Sequence, residues 1–105
     1  MATIKSYTDL SQSKKLAEIL PIESADMYYD YDVQKHEYYP MVMDDQFDGT
    51  CVRAWSLAAL LDILPKGIKL CKSDGGKYFI EGVLYDNPVD ACVAMIENLH
   101  ELKML

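Results

Sequence analysis

Cys51 is the residue of this chain best placed in sequence to act as a nucleophile. Thr50 and Cys51 open an apolar stretch that runs to Leu64, and a thiol at the amino end of a helix is acidified by the helix dipole and by free N–H groups. Thiolate chemistry also needs a base within hydrogen-bond reach. The chain offers only His36, in an irregular acidic segment, and His100, in the last turns of the terminal helix. A small hydrolase or transferase using Cys51 is therefore the alternative, and no catalytic residue is assigned. Asp44, Gln46, Asp48 and Gly49 resemble half of a calcium loop, but the third position is Gln and the twelfth is Trp55, where a bidentate Glu belongs. Cys92 and His100 are eight residues apart on one helix, about 12 Å along its axis and too far to share a zinc ion. Gly75 and Gly76 open no helix and no G-K-[ST] follows, so there is no phosphate loop. Neither a metal nor a cofactor is expected.

What remains is binding chemistry, and it is concentrated. From residue 23 to 48 the chain carries eight acids and one base, which accounts for the whole net charge of −7, while the other residues hold nine of each sign. Five of the eight tyrosines lie in the same segment. Tyrosine supplies rigid contact area with a polar tip, and carboxylates draw a basic partner. The candidate contact residues are Asp26, Tyr28, Tyr29, Asp30, Tyr31, Asp32, Tyr38, Tyr39, Asp44 and Asp45. A second reading stays open, in which the tyrosines pack inward from short strands and the acids solvate the outer face. The acidic balance argues against direct nucleic-acid binding, which needs clustered Lys and Arg. No apolar run approaches the ~18 residues of a membrane span and residues 1–10 are not a signal peptide, so a cytoplasmic location is expected. Three cysteines without a C-x-x-C pair, each in an apolar stretch, read as buried and reduced.

The elements that must position these groups are readable from caps and periods. Asp9 with Gln12 is a capping-box variant that opens a helix over about residues 9–20, stopped by Pro21. Residues 27–31 and 37–43 have strand composition, with Pro40 confining the second to an edge. Thr50 caps a helix over 51–64 that is apolar at every angle, and so is expected to be the buried centre of the core. Residues 68–72 and 77–85 alternate around Ser73, Asp74, Gly75 and Gly76 as a hairpin, with Gly82 marking a bulge or a close backbone approach. Asp86, Asn87 and Pro88 start a last helix that buries Val89, Cys92, Val93, Met95, Ile96, Leu99 and Leu102, and leaves Asp90, Glu97 and Glu101 in a wet stripe. At 105 residues this makes one α+β domain, spanning 1–105: an antiparallel hairpin, or a sheet of three to four strands, packed against the 51–64 helix and flanked by the first and last helices.

Two resemblances bear on function. A Cys followed by an aromatic, small-residue helix resembles the papain-like peptidases, which place their histidine on a later strand; no such histidine occurs here. Residues 54–61 (A-W-S-L-A-A-L-L), Leu64 and Pro65, residues 87–105, and L-A-E-I-L-P at 16–21 resemble small uncharacterised proteins of prophages and other mobile elements of gut bacteria. The matching positions are helical and carry no catalytic residue. The resemblance implies a shared fold and an intracellular accessory protein. The leading expectation is thus a non-enzymatic protein-binding module of a phage or mobile element that meets a basic protein partner through its acidic, tyrosine-rich surface. A self-associating structural protein, a homodimer pairing through Met95 and Met104 of the last helix, is the third reading.

Overall fold

The computed structural model describes residues 6–73, 75–80 and 82–103. They form an α+β domain of three α-helices and two separate three-stranded antiparallel sheets. Helix α1 (Leu10–Ala17) starts on the expected capping box: the Asp9 carboxylate accepts from the Gln12 N–H at 2.7 Å, and the Gln12 side chain accepts from the Asp9 N–H at 3.1 Å. Leu16 and Leu20 go inward while Lys14, Lys15 and Glu18 stay in solvent. A single 3-10 turn, Ile22–Ser24, follows Pro21.

Strands β1 (Met27–Asp32) and β2 (Glu37–Val42) then pair in register, from Met27 opposite Val42 to Asp32 opposite Glu37. The loop between them is held by Asp32, whose carboxylate accepts from the Gln34 and Lys35 N–H groups, and His36 takes a left-handed φ of 56°. Because the Met43 N–H donates to the Asp26 carbonyl, the bonded pairs of the ladder are those containing Tyr28, Asp30 and Asp32. Pro40, opposite Tyr29, falls on a non-bonded pair of an edge strand, where its missing N–H costs the ladder nothing.

The helix expected over 51–64 is a correction. Residues Val52–Ala54 form a strand, β3, that pairs with Met27, Tyr28 and Tyr29 on the other side of β1, and helix α2 covers only Leu57–Ile63. Ser56, not Thr50, is the cap: its hydroxyl accepts from the Ala59 N–H at 3.2 Å. Ser56 is in turn held by Asp26, which accepts from its backbone N–H at 2.8 Å and from its hydroxyl. An apolar run compatible with any face is compatible with a strand too, and pairing with β1 decides the matter. Within α2 only Leu60 is buried, and Leu61 is 43% exposed, so this helix is not the centre of the core.

That centre is α3 (Pro88–Glu101), capped by Asn87, whose side chain accepts from the Asp90 N–H at 2.8 Å, with proline at its first position. Pro88, Val89, Ala91, Cys92, Val93, Met95, Ile96 and Leu99 are all buried. Leu102, expected on the same face, lies past the helix end and is 61% exposed. Asp90 is half-buried rather than wet, because it accepts from Gln12 of α1 at 2.8 Å and so ties the two helices together. Met104, named for a two-fold contact, lies outside the described residues.

The second sheet, β4 (Leu70–Lys72), β5 (Tyr78–Ile80) and β6 (Val83–Tyr85), keeps the expected pairing across residues 73–77, but the run expected as one strand over 77–85 is a correction: it folds back on itself as β5 and β6. The chain reverses between Ile80 and Val83 with Gly82 at φ 83°, and nothing lies within 4 Å of a Cβ built there. Gly82 is therefore a turn residue, not a bulge or a close approach. This sheet packs chiefly on α3 instead of on α2, and Ile80 is its buried anchor.

A polar knot joins the first sheet to the start of the chain. The bridge between Tyr7 and Ser56 lays the chain along the outer edge of β3, the Thr8 N–H donates to the Trp55 carbonyl at 2.9 Å, and the Trp55 N–H donates to the Thr8 hydroxyl at 3.1 Å. That hydroxyl also meets Ser13 at 2.7 Å, and the Tyr29 hydroxyl donates to the Thr8 carbonyl at 2.7 Å. Among the described residues no buried side-chain polar atom lacks a partner.

Candidate functional site

The acidic segment folds as the β1–β2 hairpin and the loop that returns to β3, and alternation along the strands sorts its side chains onto two faces. On one face lie Tyr28, Asp30 and Asp32, opposite Met41, Tyr39 and Glu37. On the other lie Tyr29 and Tyr31, opposite Pro40 and Tyr38. The ten candidate residues are therefore not one patch.

Tyr28 and Tyr29 are buried at 1% and 8% exposure, because the start of β1 is covered on both sides. Phe47 meets the Tyr28 ring edge-on at 5.5 Å between centroids, and the opposite face packs Tyr29 near Tyr7 at 6.5 Å. For these two tyrosines the inward-packing reading holds. Asp26 sits beyond the strand and anchors Ser56. Asp30, Asp32, Tyr39 and Asp44 remain around the first face, Asp45 is exposed in the loop after β2, and Tyr31 and Tyr38 lie on the second face, where their rings meet edge-on at 5.0 Å and the Lys14 ammonium stands 5.8 Å from the Tyr38 ring. Tyr31, Tyr38 and Tyr39 are each about two-fifths exposed.

The first face is held by hydrogen bonds to its own carboxylates. The Tyr28 hydroxyl donates to Asp44 at 2.6 Å, and that bond, with burial and the nearby charges of Asp44 and Asp30, pushes its pKa above the ordinary tyrosine value. The Tyr39 hydroxyl donates to Asp30 at 3.2 Å; loss of solvent, then the Asp30 charge, raise its pKa too. Asp44 accepts from the Gln46 N–H at 2.9 Å, and Asp48 accepts from the Thr50 hydroxyl and, at 2.8 Å, from its N–H. The Thr50 hydroxyl, then the Thr50 N–H, hold the Asp48 carboxyl below its ordinary pKa. The loop that resembles half a calcium site thus folds as two Asx turns. Among the described residues no group of three or more His, Cys, Asp or Glu is arranged to hold a metal ion.

Among the described residues, no Lys or Arg forms an ion pair with an acid of the 23–48 segment. Arg53, opposite Tyr28 in the β1–β3 register and so on this same first face, turns its guanidinium to the end of α1, where it donates to the Ala17 and Leu20 carbonyls at 2.7 and 3.2 Å. The face therefore keeps its negative charge and carries exposed tyrosine at its edge.

Cys51 adjoins the same face, and two expectations about it change. It precedes α2 by six residues, so no helix end acts on it, and it is half-buried, as is Cys71; only Cys92 is fully buried. All three are free thiols. The Cys51 thiol has Asp48 at 3.7 Å and Asp30 at 3.9 Å.

Beside Cys51 opens a cleft of about 620 Å³, lined by Ala17, Ile22, Phe47, Gly49 and Val52, with Asp48 and Arg53 at its wall. These residues lie far apart in sequence, and only the pairing of β3 with β1, which brings 47–53 against the end of α1, assembles them; Phe47, the one aromatic of its loop, is the single local signal. A second cleft of about 440 Å³ lies between Glu23, Asp26 and Asp62. No helix among the described residues is long and apolar enough to cross a membrane. Comparison with family models, with curated proteins and with solved structures finds no match to the chain.

Proposed function

We propose that this chain is a non-enzymatic binding module, an accessory protein of a phage or mobile element, that captures a basic protein through the acidic face of its first hairpin. The observation that carries the reading is a run of carboxylates that, among the described residues, forms no ion pair with a lysine or arginine, beside Tyr39, which stays partly exposed. A fold gains nothing in stability from unopposed like charges at close range, whereas a basic partner gains faster encounter and orientation from them. The contact set is Asp30, Asp32, Tyr39, Asp44 and Asp45; Tyr28 and Asp26 support it from within, while Tyr29, Tyr31 and Tyr38 lie on the opposite face.

The test is capture of partners from lysate by the wild type and by a variant with Asp30, Asp32, Asp44 and Asp45 changed to Asn, which keeps an oxygen acceptor for each local turn. The expected result is that the variant stays folded by circular dichroism and loses partners that the wild type holds at low salt. A variant that retains every partner overturns the proposal.

A further inference from the structure

We propose that the outer edge of β6 is a self-association site, where a second copy of this chain adds its own β6 antiparallel about a two-fold axis through Leu84. Ile80 and Val83 face each other across a turn of only two residues and are therefore a bonded pair, which makes Phe79 and Leu84 a non-bonded one. The N–H and C=O of Leu84 thus point away from β5. Among the described residues neither group has a hydrogen-bond partner, and the Leu84 side chain is 59% exposed. The other edges of the two sheets are closed or blunted in ways that β6 is not. The chain at Tyr7 covers β3, β2 carries Glu37 and Pro40, and β4 ends on Lys72. β6 reads Val-Leu-Tyr, without a charge or a proline.

The geometry of this edge selects a copy of the same chain as the occupant. Leu84 is the middle residue of β6, so a bonded pair of Leu84 with its counterpart sets Val83 of each copy opposite Tyr85 of the other and overlaps the two strands completely. The next outward positions, Gly82 and Asp86, then face each other across the pair. The Asp86 carboxylate, already 3.4 Å from the Lys77 ammonium, meets a glycine and no like charge. Cys71, Phe79 and Leu84 form one cross-strand row, on the sheet face opposite the buried Ile80. The two-fold axis joins this apolar row to its copy and takes Leu84 out of water on both sides. Charge allows the contact: residues 66–86 hold four bases and three acids, whereas the surplus of −7 sits in the 23–48 segment, on the other sheet. Three-residue strands bury far less than the ~800 Å² per partner of a permanent dimer, so the association is weak and depends on concentration.

Sedimentation equilibrium from about 10 μM to about 1 mM, at physiological salt, tests the proposal. A reductant keeps the free thiols of Cys51 and Cys71 from linking copies covalently. The expected result is a reversible monomer–dimer equilibrium with half-association at roughly a few hundred micromolar, and a Leu84 amide that exchanges about twofold more slowly at the top of the range than at the bottom. Two variants place the contact. Leu84→Pro deletes the outward N–H and spares the β5–β6 ladder, to which that group contributes nothing. Leu84→Lys keeps the N–H, suits an exposed position, and sets two like charges side by side across the axis. Each should weaken association about tenfold or more while the amide shifts of α3 and the first sheet stay in place; if Leu84→Pro unfolds the second sheet, Leu84→Lys decides by itself. A protein that is monomeric throughout the range overturns the proposal, as does association that survives Leu84→Lys or that is lost instead when Asp30, Asp32, Asp44 and Asp45 are changed to Asn.

Discussion

Replacing Tyr29 by phenylalanine removes one oxygen from the knot that fastens the first sheet to the start of the chain. The ring stays, so no cavity opens, and the change reports on the hydroxyl alone. That hydroxyl donates to the Thr8 carbonyl at 2.7 Å, Tyr29 is 8% exposed, and Thr8 is fully buried. Leaving a buried acceptor without its donor costs about 1–3 kcal/mol, more than the bond itself is worth, because water cannot reach the orphaned group. For a domain of this size each kcal/mol lowers Tm by roughly 4–8 °C. A second effect appears in alkali. Burial pushes the Tyr29 hydroxyl from its ordinary 10.0 up to about 12. Below pH 10 both folded and unfolded chains hold the proton and this group confers no pH dependence. Between pH 10 and 12 the unfolded chain releases it first, so stability falls as pH rises, by about 1.4 kcal/mol per pH unit for each such proton. Tyr28 and Tyr39 shift in the same direction, so Tyr29→Phe should reduce the alkaline slope without abolishing it. Urea unfolding of wild type and Tyr29→Phe at pH 7 and across pH 9.5–11.5 measures both effects. A variant within ~0.5 kcal/mol of wild type at pH 7, with an unchanged alkaline slope, would refute the argument.

Two further outcomes follow from the same reasoning. Burial pushes the Cys92 thiol from 9.0 up to about 11, and its side chain is fully inaccessible, so iodoacetamide at pH 8 should label Cys51 and Cys71 and spare Cys92 until urea unfolds the chain; native labelling of Cys92 at the rate of the other two would contradict its place in the core. Asp26→Ala removes both bonds that hold Ser56, the cap of α2, and should cost about 1 kcal/mol with faster hydrogen exchange at Ala59; unchanged exchange there would show that the cap needs no support.

Elements with local start and stop signals were legible in the sequence. The Asp9–Gln12 box and Asn87 with Pro88 act within a few residues, and the structure keeps both; the strand composition of 27–31 and 37–43 was legible too, but their pairing with each other was not. The stretch from Thr50 to Leu64 was not legible, because Val52, Arg53 and Ala54 satisfy a helical and an extended pattern equally. Their state is decided by β1, more than twenty residues earlier, and by Asp26, which moves the helix start to Ser56. The candidate surface failed in a similar way. A dense run of acids and tyrosines in sequence is not a patch in space when alternate residues point to opposite faces, and the adjoining cleft, built from the end of α1, the 47–49 loop and β3, has no contiguous sequence signature at all.

Pro40 has a role in specificity that its harmless position conceals. Slipping β2 by one residue along β1 would bring Pro40 into a bonded pair, cost a ladder hydrogen bond and exchange every side chain between the two faces, so the proline locks the alignment that gathers Tyr39 beside Asp30. In the native alignment its ring occupies an outward-facing donor position in the middle of β2. A foreign strand laid along that edge would meet a gap in the donor row. Recognition at this hairpin is thereby restricted to side chains, and the longest exposed edge of the first sheet is kept from zipping onto copies of itself.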